Sequence, residues 1–206
     1  SKNYNYWSRF TNPKNIRFFG VPIFDKLWKN KKILSEYKKN KILKVLFAYS
    51  SYFGLVKGID FKTLEDQFIK VMEFLSKFKN IEVTFKIHPE KNHPHFQKLL
   101  EKHSQNLKKI SDDNIYNLSH ETDILITNYE SAAAIYGCYF SKPCIELWKG
   151  VDSLYLKGFN KSNNGALGIL KPSNNIEDFS ENFTVAIDHV TKKSKSYDSQ
   201  IKNFKK

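Results

Sequence analysis

Two polar turns carry the residue types from which chemistry could be built. The first is Thr84-Phe85-Lys86-Ile87-His88-Pro89, a buried strand running into a His-Pro turn. Pro89 fixes φ and ends the strand, which leaves His88 at its carboxyl end with Lys86 two residues behind. An imidazole in that place can donate a hydrogen bond to a phosphate oxygen and, once protonated, add charge beside it. It would then stabilise a phosphate leaving group as charge develops. His93 and His95 follow, but no carboxylate pattern accompanies them, so no metal site is expected.

The second turn closes Asp123 to Ser131, DILITNYES, where another buried strand ends at Thr127-Asn128-Tyr129-Glu130-Ser131 and opens a helix. Backbone N–H groups and the Ser131 hydroxyl at a helix start suit a phosphate. Plain N-capping by Asn128 or Ser131 is equally compatible with the pattern. Glu130 suits a ribose hydroxyl or solvent. Ser50 and Ser51 end a third buried run, Lys44 to Ala48, and a Gly54 loop follows, so both hydroxyls can approach the same ligand. Asp112, Asp113 and Tyr116 follow a short strand where a base or ribose would lie. Glu146, inside Cys-Ile-Glu-Leu-Trp, faces either the ligand edge or a buried partner. No GxGxxG and no GxxxxGK[ST] occurs, so neither the dinucleotide fingerprint nor a P-loop is present.

The surrounding pattern must hold these turns in place. The continuous apolar run at 44–48 reads as a strand buried on both faces and 81–87 as a second buried strand; 107–111 reads as a short third, 124–127 as a fourth and 144–147 as a fifth, with a sixth expected at 167–170. Helical periodicity separates them at 60–78, 93–103, 131–140 and 176–190, with a short helix near 112–121. Strands alternating with helices mean βαβ units. The expected fold is α/β, a Rossmann-like three-layer sandwich with a mostly parallel sheet of about six strands. Ligands of such sheets bind where the strands end and strand order reverses. Residues 1–40 read as an arm from a preceding domain, 41–190 as the nucleotide-donor-binding domain, and 191–206 as a frayed basic tail.

Composition narrows the partners. The formal net charge is +13, yet the basic residues are almost all Lys, with only Arg9 and Arg17 as arginines. Arginine is the residue for bidentate reading of bases and phosphates, so a nucleic-acid partner is not expected. A weak pull toward anionic lipid or a polyanionic acceptor fits better. Cys138 and Cys144 sit in apolar segments and read as buried small hydrophobes in a reducing compartment. No apolar run reaches the length of a membrane span, so any membrane contact would be peripheral. The only methionine is Met72, which suggests a piece of a longer chain.

The turns and their order resemble the C-terminal, donor-binding domain of GT-B type transferases, in particular the CDP-glycerol glycerophosphotransferase (teichoic acid polymerase) family. That family carries Gly-x-Pro-x-x-Asp, here Gly20-Val21-Pro22-Ile23-Phe24-Asp25, and Lys-x-His-Pro, here Lys86-Ile87-His88-Pro89. It carries Asp-(Ile/Val)-Leu-Ile-Thr-Asp-Tyr-Ser-Ser, here Asp123 to Ser131, and then Lys-Pro, here Lys142-Pro143. The chain departs at Asn128 and Glu130, where the family has Asp and Ser. The His-Pro turn with a later Ser also resembles bacterial sialyl- and polysialyltransferases, which grip a CMP phosphate with that pair.

The resemblance implies one half of a GT-B fold acting in bacterial surface polysaccharide synthesis: capsule, teichoic acid or lipopolysaccharide. It implies a CDP-, CMP- or UDP-linked donor as substrate and no tightly bound cofactor. His88 would be catalytic. Ser50, Ser51, Lys86, His88, Pro89, Thr127, Asn128, Glu130 and Ser131 would hold the donor phosphates, with Asp112, Asp113, Tyr116 and Glu146 around base and ribose. A polysaccharide or lipid-linked acceptor would bind through a missing N-terminal domain, in the cytoplasm or at the inner face of the membrane. Two other readings stay open: an enzyme resembling UDP-N-acetylglucosamine 2-epimerase, and a non-catalytic nucleotide-binding module. His88→Ala is expected to weaken nucleotide binding about tenfold to a hundredfold, the worth of a hydrogen bond to a charged group. The circular dichroism spectrum should not change. Unchanged affinity in a titration would remove His88 from the site.

Overall fold

The computed structural model describes residues 42–49, 61–87, 101–102, 107–129, 131–147, 164–165, 168, 170–192 and 194–204. Of the expected site residues, Ser50, Ser51, His88, Pro89 and Glu130 lie outside these, as do residues 1–40 and most of the helix expected at 93–103.

Six parallel strands form one sheet in the order β3-β2-β1-β4-β5-β6. They are β1 (Leu43–Tyr49), β2 (Ile81–Ile87), β3 (Leu107–Ile110), β4 (Ile124–Asn128), β5 (Cys144–Leu147) and β6 (Lys171–Ser173). The helices are α1 (Phe61–Leu75), α2 (Ile115–Glu121), α3 (Ala133–Tyr139), α4 (Ile176–Lys192) and α5 (Asp198–Phe204). From β1 the chain runs one way to β3, then returns to β1's other side and runs outward through β4 to β6. Parallel crossovers are right-handed, so this reversal sends the two sets of connecting helices to opposite faces.

Side chains divide between the faces with the period of two that a strand imposes. Val45, Phe47, Tyr49, Phe85, Ile126 and Leu147 pack against α1 and α4. Leu46, Ala48, Leu125 and Cys144 pack against α2 and α3. Burial on both sides explains the uninterrupted apolar runs. On the first face Phe47, Tyr49, Phe68 and Phe85 form an aromatic knot, with Phe47 and Phe85 edge to face at 5.2 Å and 79° and Phe68 against Phe85 at 5.4 Å. Phe74 of α1 meets Phe179 and Phe183 of α4 at 5.6 and 5.9 Å, which joins the two helices over that face.

The structure corrects two expectations. The sixth strand is not at 167–170. Gly168 is left-handed, φ 70°, and its N–H donates to the Gly165 carbonyl at 3.1 Å, a turn that an apolar run conceals. The strand follows at Lys171–Ser173, where Pro172 is tolerated because an edge strand can spare an N–H. The tail is also not frayed throughout. Tyr197 is fully buried, its hydroxyl donates to the Asn182 carbonyl at 2.9 Å, and the Lys171 ammonium sits 4.6 Å above its ring. On α5, the Gln200 amide accepts from the Cys144 N–H at 3.3 Å and donates to the Cys144 carbonyl at 3.2 Å. Two inward residues among many polar ones leave no periodic signal.

Lysines and carboxylates nearly balance among the described residues, so the positive excess of the chain belongs to its other segments. Both cysteines are buried thiols outside any disulfide, as expected. Burial and a hydrogen bond with the Cys138 side chain push the Cys144 thiol well above its ordinary value, the hydrogen bond being the larger cause.

Helix α3 lies against the sheet because Gly137 has no side chain. A Cβ there would collide with Cys144 Sγ and stand 2.7 Å from Leu125 Cδ2. Gly→Ala inside a helix ordinarily stabilises by about 1 kcal/mol, but overpacking costs about 1–3 kcal/mol. Gly137→Ala is therefore expected to lower stability in urea unfolding. A variant as stable as its parent would show that the helix lifts from the sheet without cost.

Candidate functional site

The start of β4 is stitched to β1. Asp123 accepts the Lys44 N–H on its carboxylate at 2.9 Å and donates its own N–H to the Lys44 carbonyl at 2.8 Å. This sets the register, so the carboxyl ends of β1 and β4 finish side by side at the place where strand order reverses.

One register row crosses the sheet just before that edge. It runs through Lys86 of β2, Ala48 of β1, Thr127 of β4, Glu146 of β5 and Pro172 of β6. Residues of one row project to one face, here the face of α2 and α3. Thr127 and Glu146 are fully buried and Lys86 is half-buried. The Thr127 hydroxyl has no hydrogen-bond partner among the described residues. Such a buried group is an exception that calls for a reason.

The turn after β4 depends on Tyr129. Its backbone is left-handed, φ 42°, and its N–H reaches the Leu147 carbonyl at 3.4 Å. A bulky residue in that region costs about 1–3 kcal/mol and persists only where its surroundings hold it. Its ring is 2% exposed. Burial raises the phenol well above its ordinary value, and the Glu146 carboxylate raises it further. Tyr49, at the end of β1, is raised by burial first and then by Tyr129. The carboxyl edge at the reversal is therefore backed by two buried phenols and a buried carboxylate.

Beyond Tyr129, the Ser131 hydroxyl accepts the Ala133 N–H at 3.3 Å, and its carbonyl accepts the Ala134 N–H at 3.2 Å and the Asn164 amide at 3.5 Å. Ser131 thus caps the helix. Accepting the Ala133 N–H leaves its own O–H proton as a donor. The helix is shorter than the expected 131–140, spanning Ala133–Tyr139, so its dipole supplies less to an anion.

The structure separates the other expected residues from this turn. Asp112 and Asp113 are exposed at the end of the edge strand β3, with β2 and β1 between them and β4. The Ser111 hydroxyl donates to the Asp113 carboxylate and accepts the Asp113 N–H, both at 3.2 Å, a local turn. Tyr116 begins α2, where Asn114 caps its N–H at 2.8 Å. Its ring meets Phe140 at 5.0 Å and Tyr136 at 6.4 Å, tying α2 to α3. Of the residues expected from the sequence, Thr127, Asn128, Ser131 and Glu146 stand together near the carboxyl ends of β4 and β5. Sequence reasoning missed Tyr49 and Tyr129, because neither the left-handed backbone nor the packing of phenols leaves a pattern in the sequence.

Among the described residues no cluster of three or more His, Cys, Asp or Glu could hold a metal ion, and no helix is long and apolar enough to cross a membrane.

Strand order, crossovers and a polar edge at the reversal define a Rossmann-like α/β domain, the fold of one half of a GT-B architecture. Among solved structures, the chain is similar to the S. aureus MnaA–UDP co-structure at TM-score 0.53 and 15% identity, over 95% of this chain and 46% of that one. It is similar to the spinosyn rhamnosyltransferase SpnG complexed with spinosyn aglycone at TM-score 0.52 and 14% identity, over 86% and 43%. A putative UDP-N-acetylglucosamine 2-epimerase from Listeria monocytogenes follows at TM-score 0.50 and 14% identity, over 90% and 43%. The chain spans less than half the length of each. No protein-family model and no curated protein sequence matches it.

The buried phenols set an alkaline limit. Tyr49, Tyr129 and Tyr197 are all raised by burial. A raised acid holds its proton more tightly when folded. Its contribution is complete below the unfolded tyrosine pKa of about 10 and is lost as pH rises through the folded value. Unfolding free energy is expected to fall with rising pH above about 10. Tyr129→Phe should flatten that fall, whatever it costs at neutral pH. An equal slope in the variant would show that Tyr129 is no more protonated folded than unfolded.

Proposed function

We propose that this chain is the donor-binding half of a nucleotide-activated transferase of the GT-B type. The observation that carries the reading is the β4 turn at the strand-order reversal. There a buried Thr127, a buried Asn128, a strained Tyr129 and the capping Ser131 stand together at the carboxyl edge. Backbone strain over-determined by its surroundings is a mark of binding sites, and open α/β sheets bind their ligands at this crevice. The donor phosphates would lie over the turn, approached by the remaining Ser131 proton; Ser50 and Ser51, next in sequence after β1, and His88, next after β2, are proposed as further contacts. Lys86, one strand beyond β1, adds a cation to that side.

In its finer form the reading follows the motifs. The Lys-x-His-Pro turn and the Asp123 to Ser131 segment favour glycerophosphate or glycosyl transfer from a CDP- or CMP-linked donor in surface polysaccharide synthesis, at the inner face of a bacterial membrane. The acceptor would be held by sequence outside this chain. Base and ribose contacts by Asp112, Asp113 and Tyr116 would require a ligand extended along the edge toward β3. A second reading, a sugar-nucleotide epimerase, draws on the likeness to a structure holding UDP. Epimerisation of a UDP-sugar without an acceptor would distinguish it.

The test is thermal unfolding of the 206-residue chain with CDP, CMP, UDP, GDP or ADP. A ligand bound only by the folded state at about 100 times its dissociation constant stabilises by about 2.7 kcal/mol. For a domain of this size that is a rise on the order of 5–10 °C. A rise with cytidine nucleotides supports the glycerophosphate or sialyl form, and a rise with UDP the hexosamine or epimerase form. No rise with any nucleotide would overturn the donor-site reading.

A further inference from the structure

A cleft of about 230 Å³ opens at the same carboxyl edge but on the opposite face, between α1 and the start of α4. Its floor is apolar: Val71, Leu147 and Phe179, each no more than 2% exposed. Its rim is polar, with Asp66, Gln67 and Lys70 from one turn of α1 facing Asn174, Asn175 and Glu177. Leu147 joins it to the β4 turn, since its carbonyl receives the Tyr129 N–H.

The chemistry of the rim selects among ligands. A phosphate is disfavoured. The first turn of α4 carries Glu177 and Asp178, and the Asp178 N–H is already engaged, accepted by Asn175 Oδ1 at 2.7 Å, while the Asp178 carboxylate accepts the Asn174 N–H at 3.0 Å. A whole nucleotide is too large, because sites for drug-sized ligands run to about 300–1,000 Å³. What remains is a small neutral molecule that both donates and accepts hydrogen bonds around its edge and offers C–H groups to an apolar floor. Carboxylates and amides accept its hydroxyl protons, and Lys70 donates to its oxygens. Gln67 Oε1 is buried against this wall with no partner among the described residues. The terminal torsion of a glutamine is broad, so the amide can turn that oxygen into the cleft, where a ligand hydroxyl supplies the missing donor.

We propose that the cleft binds a single neutral monosaccharide unit, with its C–H face on Val71, Leu147 and Phe179 and its hydroxyls on Gln67, Asp66, Lys70 and Glu177. This site is separate from the nucleotide turn and does not depend on that reading. The test is a titration of the 15N-labelled chain with glucose and with N-acetylglucosamine, followed by amide shifts. Saturable millimolar shifts are expected at Gln67, Lys70 and Asn175, and none with inorganic phosphate. Gln67→Leu keeps the size of the side chain and should weaken binding about tenfold, the net worth of one hydrogen bond. Lys70→Met, at an exposed position, provides a second variant with the fold undisturbed and should weaken it as well. No saturable shift, or equal affinity in both variants, would overturn the proposal. Loss of the nucleotide response in a folded Gln67→Leu variant would also overturn it, because the cleft would then belong to the nucleotide site.

Discussion

Everything in this domain follows from the pairing of β1 with β4. The two strands are far apart in the chain, and Asp123 fixes their register by a double hydrogen bond to Lys44. Because β2 already occupies the other side of β1, this pairing makes the order reverse. The reversal places helices on both faces, buries the central strands almost throughout, and opens a crevice at the carboxyl edge. The polar residues at that edge would otherwise be scattered among unrelated loops.

The same constraint explains why the edge tolerates poor local chemistry. Thr127 and Glu146 are fully buried in a parallel sheet whose buried positions are mostly apolar, and Tyr129 holds a backbone conformation that favours glycine. The orphaned Thr127 hydroxyl and the left-handed Tyr129 each cost about 1–3 kcal/mol on their own. They persist because α1 and α4 on one face, and α2 and α3 on the other, fix the strands that carry them. The α5 helix adds to this by gripping the backbone at Cys144, where β5 begins.

The two faces of the edge differ in chemistry. On one side of the sheet the row Lys86, Thr127 and Glu146 mixes charge and hydroxyl beneath the β4 turn. On the other, an acidic and amide rim surrounds an apolar floor.

The sequence by itself determined the strands and their sidedness. Runs such as 45–49 and 124–126 are continuously apolar, which burial on both faces explains, and helical periodicity between them required parallel crossovers. It also marked the β4 turn, because polar residues after such a run must lie at a strand end. It could not decide what depends on contact between distant segments. Gly168 turned an apolar run out of the sheet, and Pro172 found a place only because β6 became an edge. Tyr197 and Gln200 made a structured helix of a lysine-rich tail by bonding residues 15 and 56 positions away. The left-handed Tyr129 and the α1–α4 cleft arose in the same way. Local propensity acts over a few residues, while strain, orphaned hydroxyls and cavities are properties of packing, and packing exists only after the chain has folded.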